Sequence, residues 1–406
     1  MKKHSFGILL CATCDSAFVI GSLMANIKQK CGEKVDIFYL IHDGFKTSDK
    51  EALRKIAGES IVRFETFTKE DFLAKLNAFA KKPIKLNNHR FLGRWTHMVY
   101  ACFEGFRFLD ECKCIVYLDF DILLLQEIVH LKKLRQQGFV LGARRGKTSL
   151  ANSCLAYQGR FQNTSVFQTP IIVYNDTLEN PKECYDFIYQ VSAQNPLNIN
   201  DQGTFSLLVF EKNLKIKDLG NRYVGSVLWR KNHNPILIHA YGPKNRFWNN
   251  RLCNQIWNEW NAYYQAWLES GGSPNTKGFV ANTTYGYERI RYHLAYKLGY
   301  CIIANYQSLL GCLKLPFLLA LIALRHKKEA RFYQKIIKLH PHLKLPPLES
   351  YEDYQSALLE KQTFSYCLGE ALIEACKTFY KGGILKFFAT AKNLRKEAYD
   401  RMLSRH

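Results

Sequence analysis

The sequence predicts an α/β fold, a doubly wound and mostly parallel sheet followed by a basic helical extension. Three observations predict it. Short apolar runs rich in β-branched and aromatic residues alternate with helical patterns through the first half of the chain. The run Cys114-Ile-Val-Tyr-Leu118 is continuously apolar, as in a strand covered on both faces, and it ends in two carboxylates, Asp119 and Asp121. From about Tyr285 the alternation gives way to helical patterns rich in Lys and Arg. We therefore expect two domains, residues 1–284 and 285–406.

Taken in order, Ser5 to Ala12 reads as strand, Phe18 to Lys30 as helix and Val35 to His42 as strand. Ser48 to Ala57 reads as a helix with Ser48 as its N-cap, Ile61 to Phe67 as strand and Lys69 to Lys81 as helix. A loop holding Pro83, Asn87, Asn88 and His89 leads to a helix over Thr96 to Asp110, which feeds the central strand. The first strand leaves through Ala12-Thr13-Cys14-Asp15-Ser16, without the G-x-G-x-x-G of a dinucleotide fold. A nucleotide at this strand end is held by Thr13 and Asp15, or else Asp15 or Ser16 simply caps the next helix. Phe139 to Ala143 and Ile171 to Tyr174 are short apolar strands, with Arg144, Arg145 and Lys147 on a loop between them, either solvated or facing phosphate. Asp201, in Asn200-Asp201-Gln202 before the helical run Phe205 to Phe210, is an N-cap or a catalytic carboxylate, and the local pattern favours the cap.

Composition bounds the partners. The chain has 406 residues, 47% of them hydrophobic, which places it among globular proteins and excludes a disordered chain. A net charge of +22 calls for an anionic partner such as a phosphate-rich substrate, an anionic membrane or nucleic acid. No nucleic-acid module or aromatic RNA-binding motif is recognisable, so nucleic acid is set aside. The apolar run after Met1-Lys2-Lys3-His4 is short and has no small-residue cleavage pattern, so no signal peptide is expected. Thirteen cysteines, an odd number, are then expected as reduced thiols. The pairs Cys11/Cys14 and Cys112/Cys114 lack a regular four-ligand zinc spacing.

The chemistry concentrates in two stretches. Residues i and i+2 of an extended segment point the same way, so Asp119 and Asp121 emerge side by side at a strand's carboxyl end, where open α/β sheets bind ligands. Such a pair is either solvated or shares a hard divalent cation, Mg2+ or Mn2+, that keeps open positions for substrate phosphate. In the second stretch, Pro235-Ile-Leu-Ile-His239-Ala-Tyr-Gly242-Pro243-Lys244-Asn-Arg246-Phe247-Trp248, an apolar strand delivers a histidine into a Gly-Pro turn with two cations. Imidazole completes a carboxylate-rich Mn2+ site, Gly242 lets backbone approach a ligand, and Lys244 or Arg246 neutralises phosphate.

The ordering of a strand-turn-Asp at the amino terminus, Tyr117-Leu118-Asp119-Phe120-Asp121, Asp201-Gln202 and His239-x-x-Gly242-Pro243 resembles glycosyltransferase family 8 over about residues 5 to 250. These are retaining lipopolysaccharide galactosyl- and glucosyltransferases and their glycogenin relatives. The resemblance implies a GT-A-type doubly wound mixed sheet and Mn2+, or Mg2+, on Asp119, Asp121 and His239. It implies that the nucleotide of a UDP-sugar is held near Ala12, Thr13, Asp15, Phe120 and Gly242, with Lys244 or Arg246 on the diphosphate and Asp201-Gln202 at the junction of donor sugar and acceptor. Where the family has Asn-Ala-Gly this chain has Gln168-Thr169-Pro170. Where a helix of the family offers Arg or Lys to the donor it has Tyr100-Ala101-Cys102, which leaves Arg94 or Arg107 to substitute.

The carboxyl-terminal part carries +10 of the net charge. Leu315 to Leu324 is apolar, interrupted by Pro316 and followed by Arg325-His326-Lys327-Lys328; ten residues fall short of the about 20 needed to span a bilayer. Ile384-Leu385-Lys-Phe387-Phe388 with Lys392, Arg395, Lys396, Arg401 and Arg405 reads as a basic amphipathic helix on an anionic surface, or as an ordinary helical subdomain with a solvated face. The expected function is metal-dependent transfer of a hexose, galactose or glucose, from a UDP-sugar to a saccharide, in bacterial lipopolysaccharide or lipooligosaccharide core synthesis. It places the chain in the cytoplasm, peripheral on the inner face of the cytoplasmic membrane. The alternative is a catalytically inactive membrane-surface scaffold. An aspartyl phosphatase also uses Asp-x-Asp after a strand, but on its first strand and followed by Thr or Val where this chain has Leu123.

Overall fold

Three strand-helix pairs open the computed structural model: β1 (Gly7–Ala12), α1 (Ala17–Cys31), β2 (Ile37–His42), α2 (Thr47–Ala57), β3 (Ile61–Thr66) and α3 (Lys69–Asn77). The structure describes residues 3–85, 96–154, 157–194, 199–227, 234–242, 245–276, 286–306, 308–351 and 353–403. Then come β4 (Cys114–Leu118), β5 (Ile122–Leu124), α4 (Lys133–Gln136), β6 (Leu141–Ser149), α5 (Leu150–Ser153) and β7 (Ser165–Asn175). After α6 (Pro181–Gln194) and α7 (Asp201–Glu211) follow β8 (Ile216–Asp218), β9 (Gly225–Ser226), β10 (Leu237–His239), α8 (Arg251–Ile256) and α9 (Glu259–Glu269).

The seven-stranded sheet has the order β3-β2-β1-β4-β7-β6-β8. β1 pairs in parallel with β2 and β4, and β2 with β3, whereas β7 runs antiparallel to both β4 and β6. The sheet is therefore mixed. β1, β2 and β4 are buried at every position, which is why they read as unbroken apolar runs; β3, at the edge, is only partly buried.

The stretch expected as α-helix before the central strand is instead a 3-10 helix over His97–Phe108. His97, Tyr100, Phe103, Phe106 and Leu109 recur every third residue and all are buried, so three residues per turn keep one row of side chains on the core. Helix α2 starts at Thr47 with Lys46 at the N-cap, two residues before the expected cap Ser48. Arg144, Arg145 and Lys147 lie within strand β6, not on a loop. The strand is held there because Arg144 hydrogen-bonds Gln168 and Asn221 while the Arg145 guanidinium stacks 5.2 Å from the Phe167 ring. The neighbouring β7 tolerates Pro170 because it falls in an irregular stretch of the β6 pairing, and its carbonyl accepts the Asp119 N–H at 2.9 Å. Asn87, Asn88 and His89 lie outside the described residues.

A second sheet, β5-β10-β9, carries the consequence for chemistry. β10 is antiparallel to β5, with His239 opposite Ile122. Behind it α9 packs on α1, where a Cβ at Gly21 would sit 1.9 Å from the Trp267 ring, so only glycine admits the indole.

By internal contacts the chain divides into residues 1–278 and 279–406. The second unit is helical: α10 (Gly286–Arg291), α11 (Leu294–Asn305), α12 (Leu309–Leu339), α13 (Tyr354–Lys361), α14 (Phe364–Lys377) and α15 (Gly383–Leu403). α11 and α14 cross backbone to backbone: a Cβ at Gly369 would lie 1.7 Å from the Ala295 carbonyl oxygen, and one at Gly299 1.7 Å from that of Ser365. The basic residues Arg401 and Arg405 expected on the last helix have no described side chains.

Candidate active site

β4 stops at Leu118, and the two carboxylates stand on the tight connection to β5. Two backbone bonds hold that connection: Asp119 N–H to the Pro170 carbonyl, and Ala240 N–H to the Asp121 carbonyl at 2.9 Å. The second comes from the strand that carries His239. The imidazole thereby meets both acids, with Nε2 3.1 Å from Asp121 Oδ1 and 3.5 Å from Asp119 Oδ2. One ligand atom from each of the three residues lies within 4.8 Å of the others.

The surroundings divide the labour between the acids. Tyr117, two residues back and on the same face, donates its O–H to Asp119 Oδ1, leaving Oδ2 toward His239. Asp121 Oδ1 faces the imidazole while its Oδ2 faces Arg246 Nε at 3.3 Å. The Arg246 guanidinium is held between aromatic faces, 4.5 Å from the Phe120 ring centre and 5.4 Å from that of Trp248. Burial, and then the charge of Asp121, pushes the Asp119 carboxyl up to about 7. Its side chain keeps 30% of its surface, so water moderates that rise. For Asp121 burial acts in the same direction but is outweighed by His239 and Arg246, which hold it below the usual carboxylate range. Burial lowers His239, yet the two carboxylates together raise it.

Two carboxylates and an imidazole in this spacing form an oxygen-rich donor set that suits a hard divalent cation. One Asp119 oxygen is anchored by a tyrosine and the other is left toward His239, as outer contacts orient ligands at metal sites. The residues present fit a divalent metal.

The other expected residues fall as follows. Ala12 ends β1, the parallel neighbour of β4, so Thr13 and Asp15 leave the sheet at the same edge as Asp119. Thr13 Oγ1 donates to Asp15 Oδ1 at 2.6 Å, and no side chain caps α1. Asn200, not Asp201, is the N-cap of α7: its side chain accepts the Gly203 N–H at 2.8 Å. Asp201 is thereby released from capping; its Oδ2 accepts the Thr169 hydroxyl, and its charge is felt at Asp119. Burial raises its carboxyl, a rise that the Thr169 bond opposes. Gln202 follows on the first turn of α7, partly buried. Gly242 adopts φ +91°, a left-handed conformation suited to glycine. Pro243, Lys244 and Arg94 lie outside the described residues. Arg107 does not reach this edge; it pairs with Glu104, which is 1% exposed and also receives Lys75, Tyr185 and Tyr189. All thirteen cysteines are free, and Cys11 is buried in β1 while Cys14 is exposed.

Sequence reasoning missed three participants. Tyr117 was readable from the period of two along β4. Thr169 as the partner of Asp201, and Asp43 as acceptor of the Cys14 N–H at 2.6 Å, were not, since both contacts cross between strand ends far apart in the chain.

The model of Glycosyl transferase family 8 matches residues 8–250, and one described as a domain of unknown function, DUF8374, matches residues 239–400. No curated protein matches the chain. Among solved structures, the galactosyltransferase LgtC in complex with donor and acceptor sugar analogs is 14% identical over 66% of this chain and 97% of its own, with a TM-score of 0.47. Mouse xyloside xylosyltransferase 1 is 11% identical over 61% of this chain and 99% of its own, TM-score 0.42. The glycosyltransferase GlyE of Streptococcus pneumoniae TIGR4 is 13% identical over 74% and 73%, TM-score 0.42.

Proposed function

The chain belongs to glycosyltransferase family 8, and from that premise we propose that it is a metal-dependent, retaining hexosyltransferase using a UDP-sugar. It is a glycosyltransferase of GT-A fold, which implies a nucleotide-sugar donor and a saccharide acceptor. The acceptor we propose is a bacterial lipopolysaccharide or lipooligosaccharide core, with galactose or glucose transferred at the inner face of the cytoplasmic membrane.

The observation that carries this reading is the convergence of Asp119, Asp121 and His239 beside Arg246. Asp119, Asp121 and His239 would hold Mn2+ or Mg2+, which when bound supplies positive charge against the diphosphate of the leaving UDP. The chain's own residues do the rest. Tyr117 keeps Asp119 oriented. Arg246, or Lys244, offers a cation to the diphosphate; Arg246 is already stripped of much of its water by Phe120 and Trp248, which strengthens its pairing with an anion. Thr13 and Asp15 face the nucleoside from the end of β1. Asp201 and Gln202 stand at the acceptor side, where Asp201, raised by burial, positions or accepts the proton of the attacking hydroxyl.

Calorimetric titration of UDP tests the reading, with Mn2+, with chelator and with Asp121→Ala. The expected result is metal-dependent binding that the variant loses by at least about a hundredfold, since outer contacts alone change metal affinity about 10- to 100-fold and Asp121 is a direct ligand here. Turnover of UDP-galactose or UDP-glucose on a truncated saccharide acceptor then identifies the sugar. Tight UDP binding that ignores both metal and Asp121→Ala refutes the metal assignment, and no UDP binding refutes the donor.

A further inference from the structure

Helix α12 runs unbroken from Leu309 to Leu339 and fully buries only Gly311 and Ile336. It is long and apolar enough, by length and composition, to cross a membrane. Its outward face has a definite order. Leu310, Leu313, Phe317, Leu321 and Leu324 recur at spacings of three and four residues and are exposed, Leu313 by 73% and Phe317 by 79%. The same face continues through Lys328, Arg331, Lys335 and Lys338, all exposed. One side of one helix thus changes from apolar to basic at Leu324. The opposite side is occupied, since α12 packs on α11.

We propose that this face of α12 is the membrane-contacting element of the protein, lying in the interface of an anionic lipid leaflet without crossing it. The proposal rests on the membrane-surface part of the reading above and names the segment responsible. Water is a poor partner for so many exposed leucines in a row, and a contiguous patch of this kind marks an interaction site. The basic continuation selects anionic headgroups as its neighbour. The charges argue against a crossing: between Lys314 and Arg325 the uncharged run is residues 315–324, roughly 15 Å at about 1.5 Å per residue against a hydrocarbon core of about 30 Å. On the other side of the helix Leu315, Leu318, Leu319 and Ile322 are half-buried, so that side faces protein. The contact differs from the one the sequence suggested, which placed lipid contact on the last helix.

Vesicle flotation of the full chain tests this, with neutral phosphatidylcholine and with vesicles containing a third phosphatidylglycerol. Binding is expected to the anionic vesicles and to weaken as salt rises. Leu313→Glu/Phe317→Glu/Leu324→Glu is expected to lower partitioning by about a thousandfold, at roughly tenfold per large side chain. Lys328→Gln/Arg331→Gln/Lys335→Gln is expected to lower it by about a hundredfold on anionic vesicles and to leave neutral vesicles unchanged. UDP titration of the same samples reports whether the nucleotide site is intact. Should the glutamate variant fail to fold, hydrogen exchange of the native chain with and without vesicles decides, with slowed exchange expected at 309–324. Anionic binding that both variants retain, or slowed exchange confined to other segments, overturns the assignment of α12 and leaves the membrane reading standing. No vesicle binding by the native chain overturns both. Dimerisation of the native chain that the glutamate variant abolishes, without lipid binding, assigns the face to a second copy and overturns the proposal.

Discussion

Tyr117→Phe removes one oxygen atom and tests how the metal site is built. The phenol donates to Asp119 Oδ1. The ring itself is 4% exposed and packed in the core, so phenylalanine keeps the packing. A hydrogen bond to a charged group is worth about 1.5–3 kcal/mol, and outer contacts to metal ligands change affinity by about 10- to 100-fold. The expected loss of Mn2+ affinity in the variant is therefore at least about tenfold, with stability lowered by about 1.5–3 kcal/mol for the lost bond and no packing loss beside it. The pH dependence sharpens the test. The metal needs Asp119 as carboxylate, and its carboxyl is raised to about 7 by burial and by Asp121. Protons thus compete with the metal below that range, so affinity rises with pH and levels off above it. The tyrosine bond favours the carboxylate, and its removal shifts that midpoint upward. Mn2+ titration followed by electron paramagnetic resonance between pH 5.5 and 8.5 measures both quantities. Unchanged affinity and an unmoved pH midpoint in a folded variant would refute the claim that Tyr117 orients and ionises Asp119.

Three further outcomes are expected. Glu104→Gln leaves Lys75 and Arg107 facing a neutral side chain at a position 1% exposed, and should lower stability by about 3 kcal/mol in urea unfolding. Gly369→Leu drives a side chain into the Ala295 carbonyl at the α11–α14 crossing, and should lower the melting temperature of the helical unit or prevent its folding; an unchanged melting curve would contradict the crossing geometry. Thr169→Val removes the hydroxyl that lowers Asp201, so the Asp201 carboxyl rises further. Transfer activity should then fall more at pH 6 than at pH 8, and a uniform loss across pH would assign Thr169 a packing role instead.

Much of the architecture was legible because burial leaves a periodic mark. β1, β2 and β4 lie inside the sheet on both faces and read as unbroken apolar runs; α2 and α3 read as helices by their spacing. The 3-10 geometry of His97–Phe108 was hidden, because a row of aromatics every third residue fits one face of either helix until the depth of packing selects the tighter winding. The basic residues of β6 read as loop because strand pairing to β7 and the ring of Phe167 supply what propensity does not. On α7 two adjacent residues, Asn200 and Asp201, both suit an N-cap. The contact from Thr169 decides between them.

The sequence by itself determined the chemistry available: a strand ending in Asp119 and Asp121, a second strand ending in His239, and cations just beyond it. Those features are local, set by side-chain period and turn chemistry within a few residues. What only the tertiary structure decided is which groups share one small volume. More than a hundred residues separate Asp121 from His239, and the pairing of β5 with β10 places them 3.1 Å apart. Tertiary packing likewise brought Arg246 against Asp121 and left one face of α12 uncovered. The physical reason is that strand pairing and helix packing are long-range contacts. Their energies depend on the partner segment, and no stretch of sequence carries its partner within itself.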